Sequence, residues 1–192
     1  MANLTFSHLR DQNLPRCRRW HPEGAPPWSF SDWFLALGGE AGEALNVVKK
    51  LNRDRDGLAG NLKSHLALVD DLGGELADVV IYLDICLGWD FPERRLFEEF
   101  DFAGIRADTS HAAANYPEAA MTPSERGNWL FKSIARVDDG DDVEGRAFWA
   151  RQVFRATDAL AYEFQIDLAG AVIVKFNLTS ERFGFPERLE RA

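Results

Sequence analysis

Two acidic pairs with the same spacing constrain this chain more than any other feature. Glu40 and Glu43 stand three apart in Gly38-Gly39-Glu40-Ala41-Gly42-Glu43-Ala44-Leu45, and Glu75 and Asp78 stand three apart in Gly73-Gly74-Glu75-Leu76-Ala77-Asp78-Val79-Val80. Residues three apart share one face of a helix. At about 100° per residue, Leu37, Ala41, Ala44, Val48 and Leu51 make an apolar stripe, with Glu40 at its edge and Glu43 just beyond. Leu76, Val79, Val80, Leu83, Cys86 and Leu87 make a second stripe, with Glu75 at its edge and Asp78 just beyond. The matched offset predicts two amphipathic helices that bring four carboxylates to one rim of the core when their stripes pack together. Such a cluster repels itself unless cations neutralise it, and hard divalent ions such as Mg²⁺ prefer oxygen ligands. One such pair alone would be the ordinary solvated flank of an amphipathic helix. Two pairs with equal offsets, each preceded by Gly-Gly, are harder to dismiss. Glycine costs a helix about 1 kcal/mol relative to alanine, so Gly38, Gly39, Gly42, Gly73 and Gly74 predict a close approach to the backbone beside each pair.

The rest of the chain reads as helical. Residues 1 to 27, with Arg16, Arg18 and Arg19 and three prolines near the end, read as an irregular lead-in. Helical periodicity starts at Ser29 or Ser31, either of which suits an N-cap, and runs to about Lys50. Asn52 to Gly57 is a polar turn, Leu58 to Val69 a short helix, and Asp70 or Asp71 a cap for a helix that runs to Leu87 and stops at Gly88. Residues 88 to 121 are mixed, with a short helix over Glu93 to Phe100 and an Ala-rich loop beyond. Thr122-Pro123-Ser124-Glu125 is a capping box with proline at the first helical position, predicting a helix to about Val137. Asp138 to Asp142 lacks the spacing of a calcium loop and reads as a solvated turn. Further helices are predicted over Gly145 to Phe164 and from an Asp167 cap to Arg182. Few segments alternate with strand periodicity, so the expected fold is all-α.

Composition narrows the partners. With 192 residues, 46% hydrophobic and 12% aromatic, the chain suits a single domain with an ample core. A formal charge of −9 argues against a nucleic-acid duplex, whose phosphates call for clustered Lys and Arg. It leaves open a nucleotide held through metal ions. Cys17 and Cys86 do not make a disulfide framework, the first twenty residues hold no apolar signal core, and Val79 to Leu87 is too short to span a bilayer. A reduced, cytoplasmic protein without a membrane partner is the expectation.

Glu40-x-x-Glu43 followed by Glu75-x-x-Asp78 on successive helices resembles the signature of the MazG-like all-α nucleoside triphosphate pyrophosphohydrolases. Trp33-Phe34-Leu35-Ala36-Leu37 before the first pair, Val47-Val48-Lys49-Lys50-Leu51 after it, and Val79-Val80-Ile81-Tyr82-Leu83-Asp84 after the second carry the likeness further. Lys175-Phe176-Asn177 with Ser180-Glu181-Arg182-Phe183-Gly184-Phe185-Pro186 resembles the closing segment of members common in phages and bacteria. The resemblance covers residues 28 to 87 and 158 to 186 of one domain. It departs in an insertion over about 88 to 157, where members usually run almost directly from the second acidic helix into the closing segment.

The resemblance implies hydrolysis of a nucleoside triphosphate, a deoxynucleotide with purines (dGTP, dATP) ahead, to the monophosphate and pyrophosphate. It implies two or more Mg²⁺ or Mn²⁺ ions held by Glu40, Glu43, Glu75 and Asp78, one of which, Glu40 being the first candidate, orients or deprotonates the water. It also implies a homodimer or homotetramer. The inserted residues 122 to 164 carry a capping box and aromatic positions (Trp129, Phe131, Phe148, Trp149 and Phe154), which predict helices packed on the family core. Candidates for nucleotide binding are Lys50, on the face of Glu43; Tyr82, on the face of Glu75 and Asp78; and Lys175, Asn177 and Arg182 near the end of the chain. Lys175 and Arg182 share a helix face that Asn177 does not. Trp28 and Trp33 are candidates to stack on a base, or else core aromatics. His8, His21, His65 and His111 make no ligand spacing with the acidic pairs. A di-iron carboxylate bundle expects Glu-x-x-His, whereas positions 43 and 78 are Glu and Asp. The remaining alternative is a non-catalytic helical scaffold or nucleotide binder that retains the four acids.

Overall fold

The computed structural model describes residues 4–21, 23, 27–90, 101–116, 120–138 and 143–190. Among them the fold is all-α, with helices α1 (Phe6–Arg19), α2 (Phe30–Arg55), α3 (His65–Asp90), α4 (Phe102–Asn115), α5 (Pro123–Asp138), α6 (Val143–Glu163) and α7 (Leu168–Arg182). Among the described residues no helix is long and apolar enough to cross a membrane.

Short-range polar contacts set most helix starts. Ser29 Oγ accepts from the Asp32 N–H while the Asp32 carboxylate accepts from the Ser29 N–H, a reciprocal capping box that satisfies two orphan donors. Thr122 and Glu125 do the same for α5, with Pro123 at its first position. Asp167 Oδ1 accepts from the Gly170 N–H and starts α7 where expected.

Several expected boundaries move. The supposed lead-in holds α1, capped by Thr5. Polar side chains are part of its buried face, because α1 docks through Asn13 and Arg16 as well as Phe6, Leu9 and Cys17. α2 continues through the supposed polar turn to Arg55, and Gly57 follows at φ 66°. Leu58 to Ser64 is irregular rather than helical. α3 begins after Ser64, whose Oγ accepts from the Ala67 N–H, so Asp70 and Asp71 lie inside it instead of capping it. The Ala-rich stretch at 112–114 belongs to α4. Glu93 to Phe100 and residues 139–142 of the acidic turn lie outside the described residues.

Gly88 does not stop α3 but lies buried within it. A Cβ there would stand 2.8 Å from Arg10 Cζ and 2.9 Å from Leu14 Cδ2, so glycine is what lets α1 lie against α3. α3 is the central helix: it packs against α1, α2, α6 and α7. The inserted helices extend the same core, α5 against α2 and α6 against both α3 and α5, while α4 lies on α6. Phe154 of α6 meets Phe6 edge-on at 4.7 Å and Phe102 at 4.9 Å, joining α1, α4 and α6. Phe131 and Phe148, expected to pack in this core, are largely exposed.

Charged groups are also built into the interior. Asp84 of α3 is fully buried and accepts from Arg10 Nε at 2.6 Å and Asn13 Nδ2 at 3.0 Å. Asn13 Oδ1 accepts in turn from Arg16, whose other terminal nitrogen donates to the Phe176 carbonyl of α7. Burial pushes the Asp84 carboxyl above its usual range, with Arg10 and Asn13 opposing the shift. This chain of partners ties α1, α3 and α7 into one unit.

Candidate active site

The two apolar stripes pack against each other as expected, and all their residues are buried. Glu40, Glu43 and Glu75 converge, one carboxylate oxygen of each lying within 4.8 Å of the others. Asp78 takes a different partner: its Oδ2 lies 2.5 Å from Lys175 Nζ on α7. Of the four expected ligands the structure therefore gathers three, and sets the fourth in an ion pair beside them.

Electrostatics follow from this crowding. Burial, then the nearby Asp78, Glu43 and Glu75, push Glu40 from its ordinary 4.5 to about 7. Glu75 moves up for the same reasons, tempered by Lys175. Burial raises Asp78 even though Lys175 and Arg16 favour its anion. Three carboxylates from two helices form a hard-oxygen donor set that suits a divalent cation.

A cavity of about 540 Å³ opens beside the cluster, shares Glu40 with it and is lined also by Asp78. Part of its lining is aromatic. Trp28 and Trp33 lie 4.5 Å apart, and His21 stands edge-on to both. Tyr82 lies 6.4 Å from Trp33. Arg16 and Lys175 add two cations to the lining. Arg16 is only 4% exposed, and its guanidinium lies 3.7 Å above the Phe176 ring. Burial lowers it to about 10, with Asp78 pulling the other way. Cys17 lines the same wall, and burial raises its thiol to about 12, which makes it a packing group and not a nucleophile.

The expected nucleotide-binding residues separate. Trp33, Tyr82 and Lys175 line the cavity. Trp33 is both core and wall, since it is buried yet faces the cavity. Lys50 lies two turns along α2 from Glu43 and does not line it. Asn177 points away, donating to the Leu189 carbonyl and accepting from the Leu189 N–H, both at 2.8 Å. Its role here is to hold the segment after α7. Arg182 is exposed, with its guanidinium 5.4 Å from the Phe183 ring.

Arg16, Trp20 and His21 also line the cavity and were missed, because the segment carrying them reads as irregular. The signal available was a Thr5 cap followed by Phe6, Leu9 and Cys17 at helical spacing, with aromatics just beyond.

The glycines beside the two pairs meet different surroundings. A Cβ at Gly73 would touch Ile166 Cγ2 at 3.4 Å, and one at Gly74 would lie 3.9 Å from Lys175 Nζ. At Gly38, Gly39 and Gly42 a Cβ would meet nothing within 4 Å. The contacts on α3 are of ordinary van der Waals length and α2 has none, so the expected close approach to the backbone is not seen beside either pair.

No protein-family model matches the chain, and no curated protein or solved structure matches it either.

Proposed function

We propose that the protein is a divalent-metal-dependent nucleoside triphosphate pyrophosphohydrolase, converting a deoxynucleoside triphosphate and water to the monophosphate and pyrophosphate. The observation that carries this reading is the convergence of Glu40, Glu43 and Glu75 at the edge of a cavity with an aromatic wall and two cations. The residue likeness to the MazG-like enzymes supports it. Two or more Mg²⁺ or Mn²⁺ ions, when bound, would supply neutralisation of phosphate charge and acidification of a water.

The chain's own residues divide the remaining work. Glu40, Glu43 and Glu75 hold the cations, with Asp78 adjoining. Glu40 belongs to both cluster and cavity, so it is the carboxylate placed to orient the attacking water. Lys175 and Arg16 offset negative charge on the leaving pyrophosphate, and Trp28, Trp33 and Tyr82 offer faces for a purine base. The chain has no Gly-x-x-x-x-Gly-Lys-Ser/Thr loop of the kind used to transfer a γ-phosphate. The same reading carries a homodimer or homotetramer. Exposed Val174 and Leu178, beside a groove between α3 and α7, support it, and light scattering tests it.

Hydrolysis in ¹⁸O-water tests the reaction. Label in the nucleoside monophosphate and none in pyrophosphate is expected. Orthophosphate with a diphosphate as first products would overturn the reading, and so would the absence of turnover across all eight standard nucleotides and dUTP with Mg²⁺ or Mn²⁺.

A further inference from the structure

The Asp78–Lys175 pair breaks the symmetry of the two acidic motifs. Glu40, Glu43 and Glu75 are free to face a common point, while Asp78 is held at 2.5 Å by an ammonium from α7. The Asp78 side chain is 15% exposed and that of Lys175 is 35% exposed, so the carboxylate is enclosed and the ammonium partly open to the cavity it lines. Arg16 is a second, fixed cation on the same wall. Its terminal nitrogens meet only neutral oxygens, those of Phe176 and Asn13, and its buried Nε has no hydrogen-bond partner. Asp78 is thus faced by two cations, Lys175 in contact and Arg16 acting from a greater distance, so one of them can turn to an anionic ligand.

We infer that Lys175 is an internal counter-ion withholding Asp78 from the carboxylate cluster, and that a polyphosphate in the cavity draws the ammonium away and releases Asp78 to the cations. The inference rests on the pyrophosphohydrolase reading. Its physical basis is exchange. Breaking an enclosed ion pair leaves an uncompensated charge, so each partner must pass to a new opposite charge: the ammonium to a phosphate oxygen, the carboxylate to a cation. Asp78 lies one turn from Glu75 on α3, where side chains three apart are neighbours. Cation and nucleotide affinities are then linked, and the linkage is reciprocal.

Mn²⁺ binding to the whole, metal-stripped protein, read from the electron paramagnetic resonance signal of free Mn²⁺, tests this without turnover. Wild type, Asp78→Asn, Lys175→Met and the double variant are compared, each with and without a non-hydrolysable α,β-imido deoxynucleoside triphosphate. Without the analogue, Asp78→Asn should change Mn²⁺ affinity less than about twofold in the wild-type background, but weaken it about tenfold once Lys175 is gone, a coupling of the size seen between contacting residues. With the analogue present, Asp78→Asn should weaken Mn²⁺ about tenfold even with Lys175 in place. Equal weakening in every state would make Asp78 a permanent ligand and overturn the inference; no weakening in any state would remove Asp78 from the ligand set and do the same. A wild-type protein that binds no Mn²⁺ would fail at the earlier step, the metal reading itself. Should Lys175→Met fold poorly by circular dichroism, Lys175→Gln replaces it, and the analogue arm needs no Lys175 variant.

Discussion

On α2 the glycines around Glu40 and Glu43 look onto open space, whereas on α3 those before Glu75 meet the α6–α7 connection and Lys175. The two helices share an acidic period and differ in their neighbours. α2 is one-sided: its stripe packs against α3 and α5, and Glu43 stays exposed. α3 is enclosed by four helices. Its two enclosed carboxylates, Asp78 and Asp84, are each met by a cation from elsewhere in the chain, Lys175 and Arg10. Glu43 on the outer helix can rely on water, while the enclosed Asp78 and Asp84 of the central helix each need a dedicated partner. The same motif therefore leaves Glu40 and Glu43 facing outward on α2, while on α3 it leaves Glu75 with them and restrains Asp78.

The largest effect that tests this contrast is removal of a carboxylate from the enclosed helix. Asp84→Ala leaves Arg10 and Asn13 without their acceptor and should cost about 3–5 kcal/mol, whereas Glu43→Ala on the exposed side should stay within about 0.5 kcal/mol. Urea denaturation of the metal-free proteins measures both, and equal costs would break the comparison. Gly88→Ala comes next. Helix propensity alone favours alanine by about 1 kcal/mol, but the overlap with Arg10 and Leu14 should reverse the sign and destabilise by about 1–3 kcal/mol. A stabilised variant would mean that α1 does not press on α3.

Proton linkage gives a smaller effect. Glu40 binds a proton more tightly folded than unfolded, since it is raised from 4.5 to about 7. Its contribution to stability is complete below about pH 4.5 and is lost as pH rises through about 7. Because the group is partly exposed, solvent screening reduces the loss to the order of 1 kcal/mol, or about 2–4 °C in Tm. Differential scanning fluorimetry of chelator-treated protein should show Tm falling from pH 5 to pH 8, with a shallower fall in Glu40→Gln. Parallel curves for the two proteins would sharpen the assignment by moving the strain to Glu75. The smallest effect belongs to Gly39→Ala on α2, which meets open space and should stabilise by about 0.5–1 kcal/mol in thermal melts. A loss instead would reveal a second surface pressed against that face.

What was legible in the sequence was whatever depends on local chemistry. Thr122-Pro123-Ser124-Glu125 and Asp167 announce their helices because a cap needs only residues three apart. The matched offsets of Glu40, Glu43 and Glu75 survive folding because two apolar stripes can pack in few ways. The fold class followed from the same periodicities. α1 was hidden because its docking depends on polar groups whose partners are remote: Asn13 and Arg16 are buried only because Ile81, Asp84 and Phe176 receive their hydrogen bonds. The pairing of Asp78 with Lys175 was equally out of reach, since nothing in Glu75-x-x-Asp78 says which helix will cover its second acid.

The bond from Arg16 to the Phe176 carbonyl spans 160 residues of sequence, and this has a consequence in time. A ribosome adding about 5–20 residues per second needs on the order of 8–30 s to travel from one partner to the other. Throughout that interval the guanidinium must stay hydrated, because its acceptor does not yet exist. α1 can meet α3 earlier, through Asp84 and Ile81, but the part of the cavity wall that Arg16 supplies is completed only once α7 has been made.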